Sequence, residues 1–286
     1  MALFALLRPR QWIKNGFVCT GVIFGGRVGD PQSIQAMLLA VMSFCAMGSC
    51  VYVINDYRDR ESDRQHPTKR NRPLASGAVS TRAAVAAGAA MAILSVTAAW
   101  FADARVLFVI LLYLAINAAY SFGLKNLPVI DVFCIAIGFM LRIMAGTWAI
   151  SIPPSGWLIL TGMFSTLFLG FAKRLAEWTS AAGSHDRRRV LTEYSPELLN
   201  GFLSITATGT VLSYGLYTLD SKTIELHHTD KLIFTLPFVL FGLFRYLYVL
   251  HRLRRGENPT VDVFTDYQNI LCGCAFVGST FWLLHR

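Results

Sequence analysis

Long apolar runs alternate along this chain with short polar segments rich in Lys and Arg. Nine runs approach the roughly 20 residues that carry a helix across a bilayer. They extend approximately over Trp12 to Val28, Ile34 to Ile54, Ala83 to Phe101, Val106 to Phe122, Val129 to Ile150, Trp157 to Leu175, Leu198 to Leu219, Leu232 to Leu250 and Ile270 to Leu284. The pattern predicts an all-α integral membrane protein, a bundle of nine transmembrane helices, with residues 1–286 as a single transmembrane domain. The first run starts on Lys14 and Asn15 and has no small-residue cleavage pattern, so it reads as a span and not as a cleaved signal.

Composition strengthens that reading. Hydrophobic residues make up 54%, charged residues only 15%, and the mean hydropathy is +0.48, whereas soluble domains carry about 25% charged residues. The basic residues then fix an orientation, because Lys and Arg in short loops mark the inner side. With the N-terminus inside, the inner segments collect Arg8, Arg10 and Lys14, the run from Arg58 to Arg82, Lys125, the group from Lys173 to Arg189, and Arg252 to Arg255. The outer segments keep Arg27, Arg105, Lys222, Lys231 and Arg286. The formal charge of +9 is therefore largely topogenic, with some left to meet phosphates or membrane lipids. No aromatic platform or zinc spacing accompanies it, and nucleic acid is excluded as a partner. The six cysteines fall within predicted spans and read as buried small apolar residues.

The most informative polar stretch follows the second run: Asn55-Asp56-Tyr57-Arg58-Asp59-Arg60-Glu61-Ser62-Asp63, leading to Lys69-Arg70-Asn71-Arg72-Pro73. If the helix continues, Asp56, Asp59 and Asp63 stand at i, i+3 and i+7 and share one face. Carboxylates so aligned repel one another unless a cation lies between them. Oxygen-only ligands suit Mg²⁺, which takes one or two carboxylates and completes its shell with water and substrate phosphate. Pro67, Pro73 and Gly77 break the helix and predict a loop from His66 to Gly77, with Ser80 capping the next helix. The alternative is an ordinary charged cap on a membrane helix, its acids paired with Arg58, Arg60 and Arg64.

These residues resemble a known family. Asn55-Asp56-x-x-Asp59-x-x-x-Asp63 is similar to the first aspartate-rich motif of the UbiA superfamily of intramembrane prenyltransferases. Arg8 to Asn15, His66 to Arg70, Tyr120 to Lys125 and Ala172-Lys173-Arg174-x-x-Glu177 resemble its decaprenyl-phosphate phosphoribosyltransferase branch, in which the prenyl lipid is the acceptor. The resemblance implies a UbiA-like bundle around a central cavity, and a prenyl chain lying in a groove open to lipid. Where other members carry a second aspartate motif, this chain has Lys173, Arg174 and Glu177. One acidic motif facing two cations suits a metal-bound diphosphate and a separate phosphate, a combination that phosphoribosyl pyrophosphate carries.

The expected reaction is Mg²⁺-dependent transfer of 5-phosphoribose from phosphoribosyl pyrophosphate to a polyprenyl phosphate, at the cytoplasmic side of the inner membrane. Asp56, Asp59 and Asp63 are the expected metal ligands and catalytic acids, with Asn55 part of their motif. Lys69, Arg70 and Arg72 are expected on the diphosphate or the acceptor phosphate, Lys173 and Arg174 with Glu177 on the 5-phosphate, Tyr120 or Lys125 on the donor, and Lys14 on a lipid phosphate. Arg142, eleven residues beyond Asp131, lies about 16 Å further along a helix, near mid-membrane, and is read as supporting the cavity or forming a buried ion pair. Lys173 and Glu177 at i, i+4 are also able simply to bridge each other. Arg245 and Tyr246 stay unassigned, His227 and His228 read as solvent-exposed, and a homo-oligomer is left open. Two other functions remain: a prenyltransferase with a prenyl diphosphate donor and an aromatic or lipid acceptor, and a transporter of anionic lipid.

Overall fold

The structure is a computed structural model and describes residues 2–66, 69–180, 189–253 and 265–284; of Arg189 only the backbone is described. The breaker Pro67, the polar loop through His185 to Arg188, and Arg254 and Arg255 lie outside the described residues. The described residues form helices joined by turns and short irregular segments, with no strand among them. Six of the helices are long and apolar enough to cross a membrane. In chain order the helices are α1 (Ala2–Leu6), α2 (Thr20–Phe24), α3 (Pro31–Arg58), α4 (Arg60–Gln65), α5 (Thr81–Ala102), α6 (Ala104–Phe122), α7 (Ile130–Ala149), α8 (Gly156–Ser180), α9 (Pro196–Leu219), α10 (Ser221–His227), α11 (Leu236–Arg252) and α12 (Tyr267–Leu284). They fall into two compact units, one of Met1–Phe122 with Leu141–Pro154, the other of Gly123–Met140 with Ser155–Arg286.

Eight of the nine expected spans are long helices within a few residues of the predicted limits. The first is the exception. Trp12 to Val28 is not one continuous helix but a 3₁₀ stretch, Pro9–Cys19, followed by the short α2. Gly16, Gly21, Gly25 and Gly26 weaken an α-helix here, each costing about 1 kcal/mol relative to Ala. The missing side chains also permit close approach: a Cβ on Gly146 of α7 would collide with the Val18 carbonyl, and one on Gly21 with the Gly146 carbonyl.

In the first unit α3 is the central helix. Asp30 caps it by accepting from the backbone N–H groups of Gln32 and Ser33, both at 3.3 Å, and Pro31 occupies its first turn. Its buried face is small, which lets α5 lie close: Ser43 Oγ donates to the Ser95 carbonyl at 2.9 Å and Ser95 Oγ to the Ser43 carbonyl at 2.8 Å. Ser80 caps α5 as expected, accepting from Ala83 N–H at 3.3 Å. Phe44, Met47, Val106, Ile110, Leu141 and Ala145 form the core beside them.

In the second unit α8 and α9 pack with Phe168, Phe171, Leu199 and Leu203 at the centre, and Tyr246 of α11 joins edge-on to Phe168, ring centres 5.7 Å apart. Gly209 receives the Phe164 ring. Thr206, Thr210 and Ser213 turn their hydroxyls back onto the preceding turn of α9, and Ser213 Oγ also accepts from Thr161 Oγ1 of α8 at 3.0 Å. His227 corrects an expectation: it is buried, with Nε2 3.2 Å from the Tyr217 hydroxyl. The segment forms α10, and this short helix carries the ring into a buried position.

Candidate functional site

The acidic stretch does not continue as one helix. α3 ends at Arg58, Asp59 sits at a break with φ −87 and ψ 4, and α4 resumes at Arg60. The single stripe of three aspartates is corrected accordingly. Asp56 closes α3 and Asp63 lies within α4, with 2% and 3% exposure, whereas Asp59 is only half-buried on the break.

Buried carboxylates require charged partners, and both have them. Arg72 Nη1 donates to Asp63 Oδ2 at 2.7 Å and to Asp56 Oδ1 at 3.3 Å, so one guanidinium nitrogen joins the two acids. Arg8 Nη2 reaches Asp56 Oδ1 at 2.5 Å, its guanidinium lying 4.9 Å over the Tyr52 ring. The local fold explains both placements. Leu6 of α1 is fully buried against Val53, Leu74, Val79 and Ala84, which anchors the chain just before Arg8. Arg8 itself adopts a left-handed backbone, φ 53, and turns the chain into the 3₁₀ stretch. Leu74 and Ala75, buried after Arg72, pin the other strap, and Arg64 Nε donates to the Ala75 carbonyl at 3.2 Å.

The arginines nearest in sequence are engaged elsewhere. Arg58 donates to the Ser121 carbonyl and stacks on Phe122. Arg60 and Arg64 both hold the exposed Glu61, and the Arg60 hydrogen bond keeps that carboxyl below its ordinary titration range. Asn55 Oδ1 accepts from Ser121 Oγ at 2.7 Å, which ties the end of α3 to α6. Tyr120 is half-buried on the same end of α6, and Lys69 and Arg70 are exposed on a 3₁₀ turn within the expected loop.

The donor set accommodates a hard divalent cation in a limited way. Among the described residues no three His, Cys, Asp or Glu side chains gather closely enough to hold a metal alone. Asp56 Oδ2, however, is buried without a hydrogen-bond partner. An orphaned carboxylate oxygen beside a second buried aspartate fits an ion that uses one or two carboxylates and takes its other ligands from water and phosphate.

Deeper in this unit, Arg142 Nε donates to Asn15 Oδ1 at 2.7 Å and Nη2 to the Tyr113 hydroxyl at 3.1 Å. The guanidinium also faces the rings of Tyr113 at 4.9 Å and Phe44 at 5.2 Å. Asn15 in turn donates to Cys45 Sγ at 3.1 Å, and Trp12 Nε1 to Ser49 Oγ at 3.0 Å, which seats the 3₁₀ stretch on α3.

In the second unit the basic pair is arranged differently from expectation. Arg174 is fully buried: Nε meets Asp131 Oδ2 at 2.5 Å and Nη1 meets Glu177 Oε2 at 2.5 Å. Asp131 Oδ1 accepts from the Tyr194 hydroxyl at 2.8 Å, and that hydroxyl accepts from Val129 N–H at 2.6 Å. Val129 needs the support, because a β-branched residue at φ 68 is strained. Burial raises the Tyr194 phenol above its ordinary value. Arg174 therefore corrects the expected 5-phosphate grip, since two carboxylates already use its charge and no surface remains. Lys173 is half-buried with Nζ 3.8 Å from Glu177 Oε1, and Lys125 sits half-buried on the 3₁₀ turn Leu124–Asn126. Arg245, unassigned from sequence, forms a forked pair with Asp266 at 3.0 and 2.8 Å.

Comparisons with known proteins agree with this architecture. The model of the UbiA prenyltransferase family matches residues 16–265. The chain is 34% identical over 257 residues to decaprenyl-phosphate phosphoribosyltransferase of Mycolicibacterium smegmatis, covering 84% of this chain and 81% of that one. It is 37% identical over 233 residues to the enzyme of the same description from Corynebacterium glutamicum, covering 78% and 68%. A solved UbiA homolog from Archaeoglobus fulgidus, bound to GPP and Mg2+, shares the fold with a TM-score of 0.75 over 100% of both chains at 21% identity. The protein is thus an integral membrane protein and belongs to the UbiA prenyltransferase family.

Proposed function

We propose that this protein transfers 5-phosphoribose from phosphoribosyl pyrophosphate to the phosphate of a polyprenyl phosphate and releases diphosphate. The observation that carries the reading is the pair Asp56 and Asp63, buried, joined by Arg72, with Asp56 Oδ2 left unpartnered. The relatives named for this reaction support it over most of the chain.

In the reaction the anomeric C–O bond breaks, its electron pair leaves with the diphosphate, and an acceptor phosphate oxygen forms the new bond. The acceptor is already anionic near neutral pH, so no strong general base is required; positioning and charge stabilisation suffice. Asp56 and Asp63 would hold Mg²⁺, whose positive charge would stabilise the departing diphosphate, and Asp59 on the break adds its charge to theirs. Arg72 and Arg8 stand within reach of the same oxygens and transfer from carboxylate to phosphate when the donor arrives. Lys69 and Arg70 add positive charge on the same strap, and Asn55 fixes the end of α3. Tyr120 on α6, in the same unit as Asp56, is a further contact for the donor. The acidic motif lies on the basic, cytoplasmic side of the inner membrane, where a soluble sugar donor has access. Membrane lipids surround the helices, and a homo-oligomer is compatible with this chemistry.

The second reading, a prenyl diphosphate donor, is favoured by the family name and by the Archaeoglobus fulgidus homolog solved with GPP and Mg2+. Diphosphate release decides between them. Purified protein in detergent with Mg²⁺ is given either phosphoribosyl pyrophosphate with polyprenyl phosphate, or prenyl diphosphate with 4-hydroxybenzoate. Release with the first pair only, falling about 100-fold or more in Asp56→Asn, is expected. Release with the second pair only overturns the proposal.

A further inference from the structure

The acidic stretch holds a fourth carboxylate that the metal site does not use. Glu61 precedes Asp63 by two residues, which on a helix turns the two side chains to nearly opposite faces. Asp63 is buried against Arg72, whereas the Glu61 side chain is 66% exposed. Arg60 donates to Glu61 Oε1 from Nη2 at 2.7 Å and from Nε at 3.0 Å, and Arg64 Nη1 donates to Oε2 at 3.0 Å and to Oε1 at 3.3 Å. Each arginine then reaches beyond α4. Arg60 Nη1 donates to Thr81 Oγ1 at the start of α5 at 3.1 Å, and Arg64 Nε to the Ala75 carbonyl at 3.2 Å.

Arg72 stands three residues before Ala75. The turn that carries both is folded by its own bonds: Ser76 N–H and Oγ each donate to the Arg72 carbonyl at 2.9 Å, and Val79 N–H donates to the Pro73 carbonyl at 3.0 Å. A turn so closed moves as a unit, and fixing the Ala75 carbonyl fixes where Arg72 stands. Helix α4 therefore grips it twice, with Asp63 on the Arg72 side chain and Arg64 on the backbone beyond. Arg72 needs that accuracy, because one of its nitrogens serves both Asp63 at 2.7 Å and Asp56 at 3.3 Å, and a misplacement of about 1 Å at a reacting centre costs about 100-fold in rate. Exposed ion pairs like those of Glu61 add little to stability. What this one supplies is placement.

We infer that Arg64, held by Glu61, is a positioning residue for the site: through the Ala75 carbonyl it sets the Arg72 guanidinium between Asp56 and Asp63. The inference rests on the proposed reaction only for its effect on turnover. Its effect on the metal is read with no donor present.

The test follows Mn²⁺ binding to the full chain in detergent by electron paramagnetic resonance, without substrate. Glu61→Ala and Arg64→Met change the charge in opposite senses, so a direct electrostatic effect on the metal would move its Kd in opposite directions. Loss of position moves both the same way, toward the value of Arg72→Met, by about threefold. In an Arg72→Met background neither substitution should shift the Kd further, because no guanidinium is left to place. Opposite shifts, no shift, or shifts that persist in that background overturn the inference. Glu61→Ala, at an exposed position, should keep the wild-type melting temperature and carries the test if Arg64→Met fails to fold. With Mg²⁺, phosphoribosyl pyrophosphate and polyprenyl phosphate, kcat/KM should fall about tenfold in either variant, and an unchanged value overturns the inference as well. If wild-type protein turns over prenyl diphosphate instead, the proposed function falls while the Mn²⁺ shifts are still read.

Discussion

Arg174 and Asp131, both fully buried, meet at 2.5 Å across 43 residues of sequence. Through Asp131 and the Tyr194 hydroxyl, the pair supports the strained backbone of Val129. An ion pair so placed is costly to break, because the survivor stays buried without compensation, whereas replacing both members is much cheaper.

Asp131→Ala is therefore expected to destabilise the protein by about 3–5 kcal/mol, and the double variant Asp131→Leu with Arg174→Met to recover most of that loss. Denaturant unfolding in mixed micelles measures both. A single variant within about 1 kcal/mol of wild type would show that Glu177 and water can carry Arg174 without Asp131.

Backbone contact gives a second expectation. Gly146 lies against the Val18 carbonyl, a group that cannot swing aside, whereas nothing comes within 4 Å of a Cβ on Gly201 of α9. Gly146→Ala should cost about 1–3 kcal/mol through overpacking, and Gly201→Ala should gain up to about 1 kcal/mol from helix propensity. Melting temperatures of the two variants in one detergent make the comparison. Equal shifts would mean that the 3₁₀ stretch does not press on α7 in solution.

Hydropathy carried most of the fold, because a bilayer demands apolar helices of fixed length: eight of the nine apolar runs are helical, and six helices among the described residues are long and apolar enough to cross. It misplaced the first run because hydropathy registers composition and not the close approach of Gly21 and Gly146. The aspartates were legible through their spacing, yet the helix breaks at Asp59, and their partners were not legible. Arg8 lies 48 residues from Asp56 in sequence, while the neighbouring Arg60 and Arg64 turn to Glu61. Charge pattern alone likewise made Arg174 a phosphate ligand; its pairing with Asp131 depends on which faces of α7 and α8 meet, where Gly170 admits Val132. For Arg8 one signal was present, the Arg8-Pro9 step, since Pro at the first position of a helical segment fixes where the preceding residue stands.

The shared nitrogen of Arg72 leads to the last expectation. A guanidinium 2.7 Å from Asp63 Oδ2 and 3.3 Å from Asp56 Oδ1 occupies the place between the carboxylates that a divalent cation would take. Guanidinium and metal then compete for the same oxygens while no substrate is bound. Removing the guanidinium leaves two buried carboxylates short of positive charge, which strengthens their demand for a cation. Arg72→Met should thus bind Mn²⁺, as a paramagnetic substitute for Mg²⁺, about tenfold more tightly in the absence of diphosphate, a gain of about 1.4 kcal/mol. With donor present the sign reverses for turnover, because the same side chain is then missing from the phosphate, and kcat/KM should fall. Electron paramagnetic resonance titration of the free protein, set beside diphosphate release, reads both halves. Weaker Mn²⁺ binding in the free variant would mean that Arg72 organises the aspartates for the metal instead of standing in for it.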